Sequence, residues 1–290
     1  MTILVDRTTR VLVQGITGRI GSFQTKLMIE YGTKVVSGVT PGKGGQTIHE
    51  VPIFDSVLQA VKDTKPDVSI SFAPGPYACD AAMEAVNAGL RLEVVLAEAV
   101  PLSDAVKMVA FASERKAFIL GPDTAGVISP GRAKLGVHPH QLFSEGRIGI
   151  VSRSGALSYE TAKILTESGW GESTVVGVGG GPVWGFTHRD ALEMFRNDRD
   201  TDVVVLLGEI GGHVEEEAAE YINNRFPKPV IALVVGRAAP LGQKMGHAGA
   251  IIQQGRGSAQ DKIATLKRAG AIIAYSPREI ASILKSELKF

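Results

Sequence analysis

Short apolar runs rich in valine and isoleucine alternate with longer amphipathic stretches along the first 120 residues, separated by glycine, proline or aspartate. The apolar runs predict β-strands at residues 11–13, 35–39, 68–72, 92–96 and 118–120. The stretches between them predict helices at residues 22–31, 57–61, 79–88 and 102–114. Nearly continuous apolar strands that alternate with helices are typical of a parallel sheet covered by helices on both faces. We therefore expect a Rossmann-like first domain.

The alternation stops in a proline- and glycine-rich stretch at residues 121–146, which favours a structured connector over a helix or a central strand. It then restarts, with strands predicted at residues 148–151, 174–178, 203–207, 230–235 and 272–274. Helices are predicted at residues 157–168, 189–197, 215–224 and 259–269, and a last helix at 277–288 has proline in its first turn. The pattern predicts a second doubly wound domain. We expect domains at residues 1–122 and 147–290, joined by a connector at 123–146.

Composition limits the classes of function. With 290 residues and 44% hydrophobic content, the chain is long and apolar enough for two domains with buried cores. Its 31 basic and 30 acidic residues nearly cancel, which argues against nucleic-acid binding. The single cysteine fits a reducing compartment, and the sequence shows neither a membrane-spanning apolar run nor a signal-peptide core. We expect a cytoplasmic protein.

Two loops of the first domain are candidates for ligand binding, because ligands of open parallel sheets lie at the carboxyl ends of the strands. Residues 15–21 follow the first predicted strand, and their glycines would let backbone N–H groups approach a phosphate. The GxxGxxG spacing differs from the usual GxGxxG, so tight strand–helix packing remains an alternative. After the second strand stands Lys43, where an NAD site would carry an acidic residue. Lysine favours an extra phosphate, as in NADP or coenzyme A, whereas the PGKGG sequence lacks the spacing of an ATP-binding P-loop.

The second domain offers a third loop of this kind. Ser154 and Gly155 follow its first predicted strand and precede a helix. Small residues at a helix start present backbone N–H groups to an anion. An ordinary serine N-cap explains the same residues equally well.

A histidine between glycines follows the predicted strand at residues 230–235. The glycines around His247 remove bulk from the imidazole, so a large anion could approach it. Glu209 ends the preceding strand, and in a parallel sheet the two loops can be neighbours. A carboxylate that holds one imidazole N–H fixes the tautomer and makes the other ring nitrogen the nucleophile. The pair predicts a transiently phosphorylated histidine, with Ser154 and its helix end steadying the phosphoryl group.

Other conspicuous residues are interpreted as structural. The acidic run at residues 215–217 lies in the first turn of a predicted helix, where acids complement the helix dipole on a solvated face. His138 and His140 lack the carboxylate or cysteine partners of a metal site. His188 and His213 are isolated in the sequence and indicate no role.

Six motifs occur in order along the chain: GITG (15–18), SGVTPGKGG (37–45), GPDTAGVISPG (121–131), GIVSRSG (149–155), GEIGG (208–212) and GHAGAI (246–251). Together they resemble the alpha subunits of succinate–CoA ligase, also called succinyl-CoA synthetase, essentially from end to end. The resemblance implies a Rossmann-like CoA-binding domain followed by a flavodoxin-like ligase domain. It also implies that ATP or GTP, bound with Mg²⁺ by a separate beta subunit, phosphorylates a histidine. The phosphoryl group then passes to a carboxylate and is displaced by coenzyme A.

The resemblance assigns roles to individual residues. His247 is the phosphorylated residue, and Glu209 is its orienting carboxylate. Ser154 and Gly155 begin the helix that cradles the phosphohistidine, and Tyr159 contacts the organic acid together with the beta subunit. The residues implied to hold coenzyme A are Thr17, Gly18, Arg19, Ile20, Lys43, Leu96, Ala97 and Glu98. No metal ligand is implied in this chain.

Two stretches depart from the family pattern. Residues 121–126 read GPDTAG where the family commonly has GPNCPG, and residues 179–184 read GGGPVW where it commonly has GGDPI. Both changes concern the identity of the acid. We expect succinate, with malate, citrate or another carboxylate as alternatives. A CoA-binding or redox-sensing module without phosphoryl transfer and a nucleotide-binding dehydrogenase are the other hypotheses, and the GHAG, GEIGG and SRSG motifs speak against both.

Overall fold

A computed structural model describes residues 3–253 and 257–287 of the chain. Contacts divide it into two compact units. The first unit comprises Leu4–His138 and Val183–Phe186, and the second comprises Ile3, Pro139–Pro182 and the described residues from Thr187 onward. No helix of the described residues is long and apolar enough to cross a membrane.

The first unit is built on one sheet. Its strands are β1 (Arg10–Gln14), β2 (Lys34–Val39), β3 (Thr47–Ile48), β4 (Val51–Phe54), β5 (Val68–Ser71), β6 (Leu92–Val95) and β7 (Phe118–Leu120). They lie in the order β3-β4-β2-β1-β5-β6-β7, and all neighbours pair in parallel except β3 and β4. Without the short antiparallel strand β3, the order is that of the Rossmann fold. The predicted Rossmann-like domain is confirmed.

The helices of the first unit are α1 (Arg19–Glu30), α2 (Val57–Thr64), α3 (Gly75–Asn87) and α4 (Leu102–Glu114). The start of α3 was predicted four residues too late, because Pro76 fits the first helical turn and does not end the helix. Strands β3 and β4 were not predicted. β4 has only four residues, one of them Pro52, so its apolar pattern is too short to recognise.

Part of the predicted connector forms an antiparallel hairpin. Strands β8 (Gly126–Ser129) and β9 (Ala133–Gly136) pair with Gly126 opposite Gly136. Every residue of both strands is buried, including Lys134. Residues 123–138 belong to the first unit, and the rest of the predicted connector belongs to the second.

The second unit contains five further strands of the described chain: β10 (Glu145–Ser152), β11 (Glu172–Gly177), β12 (Val203–Gly208), β13 (Val230–Val234) and β14 (Ile272–Ile273). They run parallel in the order β14-β13-β12-β10-β11. This is the flavodoxin-like order, which confirms the implied fold. Its topological switch point lies between β10 and β12, so the loops after these two strands flank the crevice where ligands of such sheets bind.

Helices cover both faces of this sheet, and β11, β12 and β13 are buried at every residue. The helices are α5 (Gly155–Glu167), α6 (His188–Arg196), α7 (Val214–Arg225), α8 (Ala259–Arg268) and α9 (Pro277–Glu287). Each lies within about two residues of its predicted bounds, and the predicted last residue of α9, Leu288, lies outside the described residues.

Two glutamates are buried within the sheets and carry a testable effect on stability. Burial raises the pKa of Glu93 on β6 to about 8 and the pKa of Glu172 on β11 to about 8. Gln14 donates a hydrogen bond to Glu93 at 3.2 Å, and the backbone N–H of Ser144 donates one to Glu172 at 3.3 Å. Both carboxyls are therefore protonated in the folded protein at neutral pH.

The Glu93→Gln variant is expected to gain stability over the parent protein as pH rises. Because the folded-state pKa of Glu93 lies above its unfolded value, the contribution of this carboxyl to the stability of the parent protein is fully present below about pH 4.5. That contribution is lost as pH rises through 8. Glutamine keeps the acceptor for Gln14 and has no proton to lose. We expect equal melting temperatures at pH 4.5 and a difference of roughly 5 °C at pH 8.5. Calorimetry across this range checks the expectation, and a difference that is independent of pH would contradict it.

Candidate active site

Two loops of the second unit bring His247 and Glu209 together. Glu209 directly follows β12, and His247 lies in the loop that follows the neighbouring strand β13. The imidazole Nδ1 donates to Glu209 Oε2 at 2.8 Å and lies 3.0 Å from Oε1. The side chain of Glu209 is 9% exposed and that of His247 30% exposed. With the proton on Nδ1, the basic electron pair of the ring lies on Nε2.

A glycine in another loop makes room for the imidazole. A Cβ added at Gly180, which follows β11, would lie 2.4 Å from Cγ of His247. The backbone N–H of Gly249 donates to the carbonyl of Gly180 at 2.9 Å, so the two loops are joined beside the ring. Gly180 belongs to the stretch that departs from the family pattern, and its lack of a side chain is required for this placement of His247.

Arg153, which follows β10 and precedes the N-cap residue of α5, was not among the predicted site residues although it lies within the SRSG motif. Its guanidinium is fully buried and lies 3.1 Å from Glu209, measured from Nη2 to Oε1. Nη1 donates to the carbonyls of Gly211 at 2.8 Å and Ile210 at 3.2 Å. One side chain thus binds both the carboxylate of Glu209 and the backbone that follows it.

The prediction that residues 215–217 form a solvated face is wrong for Glu215. Its side chain is fully buried, forms an ion pair with Lys262, and lies 3.5 Å from Arg153. It also accepts a hydrogen bond from the backbone N–H of Glu209 at 3.0 Å. Burial alone would raise the pKa of Glu215, but the charges of Arg153 and Lys262 lower it to about 2. Of the three glutamates at residues 215–217, Glu217 agrees best with the prediction of a solvated carboxylate. It pairs with exposed His213 at 3.0 Å.

His188, for which the sequence indicated no role, is buried near Glu215, Arg153 and Lys262. Its ring is fully buried, and Nε2 lies 3.3 Å from the carbonyl of Leu207. Burial lowers the pKa of His188 to about 4, so the ring is neutral at physiological pH. The charges of the buried cluster therefore come from arginine, lysine and glutamate.

The start of α5 carries the residues predicted to bind phosphate. Ser154 is the N-cap, and its hydroxyl accepts from the backbone N–H of Leu157 at 3.3 Å. Gly155 is the first helical residue. The positive end of the helix dipole thus directly follows Arg153. Tyr159 lies one turn further on, half-buried and edge-on to Phe143 with ring centroids 6.3 Å apart, and burial raises the pKa of its hydroxyl.

In the first unit, the loop after β1 makes the tight turn that its glycines predict. The backbone N–H of Gly15 donates to the carbonyl of Val39 at 2.8 Å. A Cβ at Gly21 would lie 2.2 Å from the carbonyl oxygen of Gly15, so strand–helix packing requires this glycine. Gly18 is the N-cap of α1, and Arg19 and Ile20 are exposed in its first turn. The start of this helix can therefore meet a ligand.

The other residues predicted to hold coenzyme A follow neighbouring strands of the same sheet. Thr17 donates to Thr40, after β2, at 3.2 Å, and exposed Lys43 lies three residues further along. Leu96, Ala97 and Glu98 follow β6 and are half-buried or exposed. A Cβ at Gly75 would lie 2.7 Å from the carbonyl of Glu98, and a Cβ at Gly15 would lie 3.3 Å from the carbonyl carbon of Phe72. The loops after β2, β1, β5 and β6 therefore form one continuous edge.

Two family models match the chain in this order. The model described as "CoA binding domain" matches residues 6–99, and the model described as "CoA-ligase" matches residues 151–272. The first match covers all the predicted coenzyme A residues, and the second covers Glu209 and His247.

Curated relatives match over the whole chain. It is 50% identical to the succinate–CoA ligase [ADP-forming] subunit alpha of Aquifex aeolicus over 291 aligned residues, covering 100% of this chain and 95% of the relative. The alpha 1 subunit of the same name from Archaeoglobus fulgidus is 50% identical over 287 residues, covering 99% and 98%. The Staphylococcus aureus subunit is 46% identical over 284 residues, covering 98% and 94%.

Solved structures share the fold at lower identity. ATP citrate lyase from Methanothrix soehngenii superposes with a TM-score of 0.89 at 23% identity, covering 99% of this chain and 52% of that chain. The dinucleotide-forming acetyl-coenzyme A synthetase 1 of Ca. Korarchaeum cryptofilum superposes with a TM-score of 0.77 at 21% identity, covering 92% and 58%. This chain thus spans about half of each of these longer proteins.

Proposed function

Because this chain belongs to the family of succinate–CoA ligase alpha subunits, we propose that it forms succinyl-CoA through a phosphohistidine at His247. The observation that carries the proposal is the pair of contacts from His247 Nδ1 to Glu209 at 2.8 and 3.0 Å. These contacts support a tautomer with the proton on Nδ1 and the nucleophilic electron pair on Nε2. The protein is an acid–thiol ligase.

In the first step, Nε2 of His247 attacks the γ-phosphorus of a nucleoside triphosphate. The new N–P bond forms as the bond from phosphorus to the β,γ-bridging oxygen breaks, and the nucleoside diphosphate leaves. Glu209 accepts the hydrogen bond from Nδ1–H, so that proton stays on the ring. Its negative charge balances the positive charge that develops on the ring. The start of α5, with Ser154 and Gly155, supplies N–H groups to the transferred phosphoryl oxygens.

In the second step, a carboxylate oxygen of succinate attacks the phosphorus and the N–P bond breaks, which regenerates neutral His247 and forms succinyl phosphate. The thiol of coenzyme A releases its proton to solvent, and its sulfur attacks the acyl carbon. The C–O bond to phosphate breaks, and succinyl-CoA and inorganic phosphate are released. Each step exchanges one activated phosphoryl or acyl bond for another of comparable energy, so the sequence is reversible.

The nucleotide and Mg²⁺ are assigned to a separate beta subunit. The relatives are named as alpha subunits, which implies a partner. The glycine-rich stretch around Lys43 also lacks the spacing of a P-loop. We propose that ATP or GTP is bound by that partner and that Tyr159 and the partner together contact the organic acid.

Coenzyme A is assigned to the edge formed by the loops after β1, β2 and β6. The start of α1 presents its dipole to the phosphates, and Lys43 reaches a phosphate from the neighbouring loop. The residues proposed for this site are Thr17, Gly18, Arg19, Ile20, Lys43, Leu96, Ala97 and Glu98.

The Lys43→Ala variant is expected to raise the KM for coenzyme A about tenfold at low salt, because one lysine–phosphate contact at an exposed position is lost. The maximal rate of thioester formation should change little. Steady-state kinetics at several coenzyme A concentrations measure both constants. The control is Lys34→Ala. Lys34 is also exposed, but it is the first residue of β2 and lies at the opposite end of this strand from the loop that carries Lys43. Equal effects of the two variants would exclude Lys43 from the site.

Parts of the two stretches that depart from the family pattern lie in the first unit, which contains residues 121–126 and Val183–Phe186. Ile119, at the end of β7, forms an isolated β-bridge with Gly185, whose N–H lies 3.5 Å from the carbonyl of Gly121. Thr124 is buried and accepts from the backbone N–H of Gly126 at 2.9 Å. Trp184 is half-buried beside Gly185. We infer from this proximity that a different acid would be selected at this corner.

Thioester formation with a panel of acids tests the proposal. The chain is purified with its beta subunit and incubated with Mg²⁺, ATP or GTP, coenzyme A, and succinate, malate or citrate; citrate is included because the ATP citrate lyase has the same fold. We expect turnover with succinate. Preference for another acid would move specificity to the corner around Thr124 and Trp184. Coenzyme A binding without any thioester would overturn the ligase assignment.

A further inference from the structure

We propose that Arg153 is a positioning residue for the phosphorylation of His247. Its guanidinium holds the Glu209 carboxylate against Nδ1 of the histidine, and buried Glu215 and Lys262 hold the guanidinium in turn. Arg153 acts through Glu209 and does not touch the phosphoryl group. This inference rests on the proposed phosphohistidine.

Topology explains why one residue can reach all parts of this site. Arg153 follows β10 and Glu209 follows β12, and these strands are neighbours at the switch point of the sheet. Nη2 lies 3.1 Å from Glu209 Oε1. The same nitrogen lies against the histidine loop, since a Cβ added at Gly249 would be 2.9 Å from it. The guanidinium therefore contacts Glu209 and lies against the loop that carries His247.

The contacts of Arg153 need the shape of a guanidinium. Nη2 faces Glu209, while Nη1 donates to the carbonyls of Ile210 and Gly211. These contacts fix both the Glu209 side chain and the backbone that carries it. A lysine ammonium is a single point charge and cannot make the two sets of contacts at once. Lysine at this position should therefore retain the charge and lose the orientation.

Charge balance explains how an arginine can be fully buried here. Glu215 lies 3.5 Å from Arg153 and forms an ion pair with Lys262, whose Nζ also donates to the carbonyl of Gly211 at 2.9 Å. Neutral His188 adds no charge, and the two cations face the two buried carboxylates of Glu209 and Glu215. Each charge in this row has an opposite neighbour, which is the condition for keeping ions in a protein interior.

The Arg153→Lys variant is expected to lower the rate of His247 phosphorylation by roughly 10- to 100-fold, the usual loss when the support of a functional side chain is removed. The assay uses the complex with the beta subunit and measures transfer of the γ-phosphate of labelled ATP in a single turnover. The ATP concentration at half-maximal rate should stay unchanged, because Arg153 binds no nucleotide. Arg147→Lys is the matched control, since Arg147 lies on β10, the strand that Arg153 follows, and pairs with Asp202 at an exposed position. Its rate should equal that of the parent protein.

A double-mutant cycle separates positioning from a general structural effect. In the Glu209→Gln background, Arg153→Lys is expected to change the phosphorylation rate by less than about threefold. Arg153 acts on His247 through the Glu209 carboxylate, and that carboxylate is already absent. A structural role would give the same fold-loss in both backgrounds. Glu215→Gln is expected to follow Arg153→Lys with a smaller loss that also disappears when Glu209 is replaced.

The outcomes distinguish this inference from the function on which it rests. If the parent protein takes up no phosphate on His247, the proposed function fails. If the parent is phosphorylated and Arg153→Lys matches it, or if the losses multiply in the double variant, Arg153 is not a positioning residue. Should Arg153→Lys fail to assemble with the beta subunit, Glu215→Gln carries the same cycle, and multiplicative losses there would overturn the proposal.

Discussion

The His247→Asn variant is expected to take up no acid-labile phosphate and to lose thioester formation by at least about 10³-fold. Asparagine has a side chain of similar reach but no basic nitrogen, so the phosphoryl group has no acceptor. Gly180 and the surrounding loop tolerate the smaller side chain, and the fold should be retained. Labelling with the γ-phosphate of ATP followed by acid and base treatment distinguishes a phosphohistidine from phosphoserine.

His213→Asn is the matched control. His213 also pairs with a glutamate, Glu217, at 3.0 Å, but its side chain is 74% exposed and precedes α7. We expect phosphate incorporation and turnover equal to those of the parent protein. Labelling that persists in His247→Asn would assign the phosphoryl acceptor to another residue.

The Glu209→Gln variant is expected to lower the phosphorylation rate by about 10²- to 10⁴-fold, as when the carboxylate of a catalytic triad is replaced by an amide. Glutamine keeps the size of the side chain but presents an amide NH₂ group as well as an oxygen. The imidazole then loses its charged acceptor, and Nδ1 no longer carries the proton reliably. Rapid mixing with labelled ATP measures the single-turnover rate, while circular dichroism checks the fold.

Glu217→Gln is the corresponding control, since it also removes the carboxylate of a histidine–glutamate pair. The Glu217 side chain is 44% exposed. We expect no change in rate. A Glu209→Gln variant as fast as Glu217→Gln would mean that the tautomer of His247 is set by something other than Glu209.

The fold was predictable because its strands are apolar on both faces. Strands such as β12 and β13 have no exposed residue, so they appear in the sequence as apolar runs dominated by valine, isoleucine and leucine. β3 and β4 were missed because they have two and four residues and lie at the sheet edge. The hairpin of β8 and β9 was missed because its glycines and proline are also typical of a loop.

The pairing of His247 with Glu209 was predictable because sheet topology alone brings the two loops to one edge. Their residues are 38 positions apart, yet they follow adjacent parallel strands. The GHAG and GEIGG motifs identified which side chains mattered. Sequence reasoning could therefore specify the proposed catalytic pair without knowledge of side-chain positions.

The buried support of this pair was not predictable from local patterns. Glu215 stands in a run of three glutamates at a helix start, which ordinarily indicates a solvated face. Its burial depends on Arg153 and Lys262, which lie 62 and 47 positions away in sequence. Nothing near Glu215 in the sequence announces these partners. Gly180 was missed for the same reason, because the ring that it accommodates comes from a distant loop.

A pulse–chase measurement tests the central claim most directly. The complex is first labelled with the γ-phosphate of ATP, separated from nucleotide, and then mixed with succinate and coenzyme A. We expect label on His247 to disappear as inorganic phosphate and succinyl-CoA appear in equal amounts, within the turnover time of the enzyme. Label that stays on the protein while succinyl-CoA forms would show that the phosphohistidine is not an intermediate, and would contradict the account.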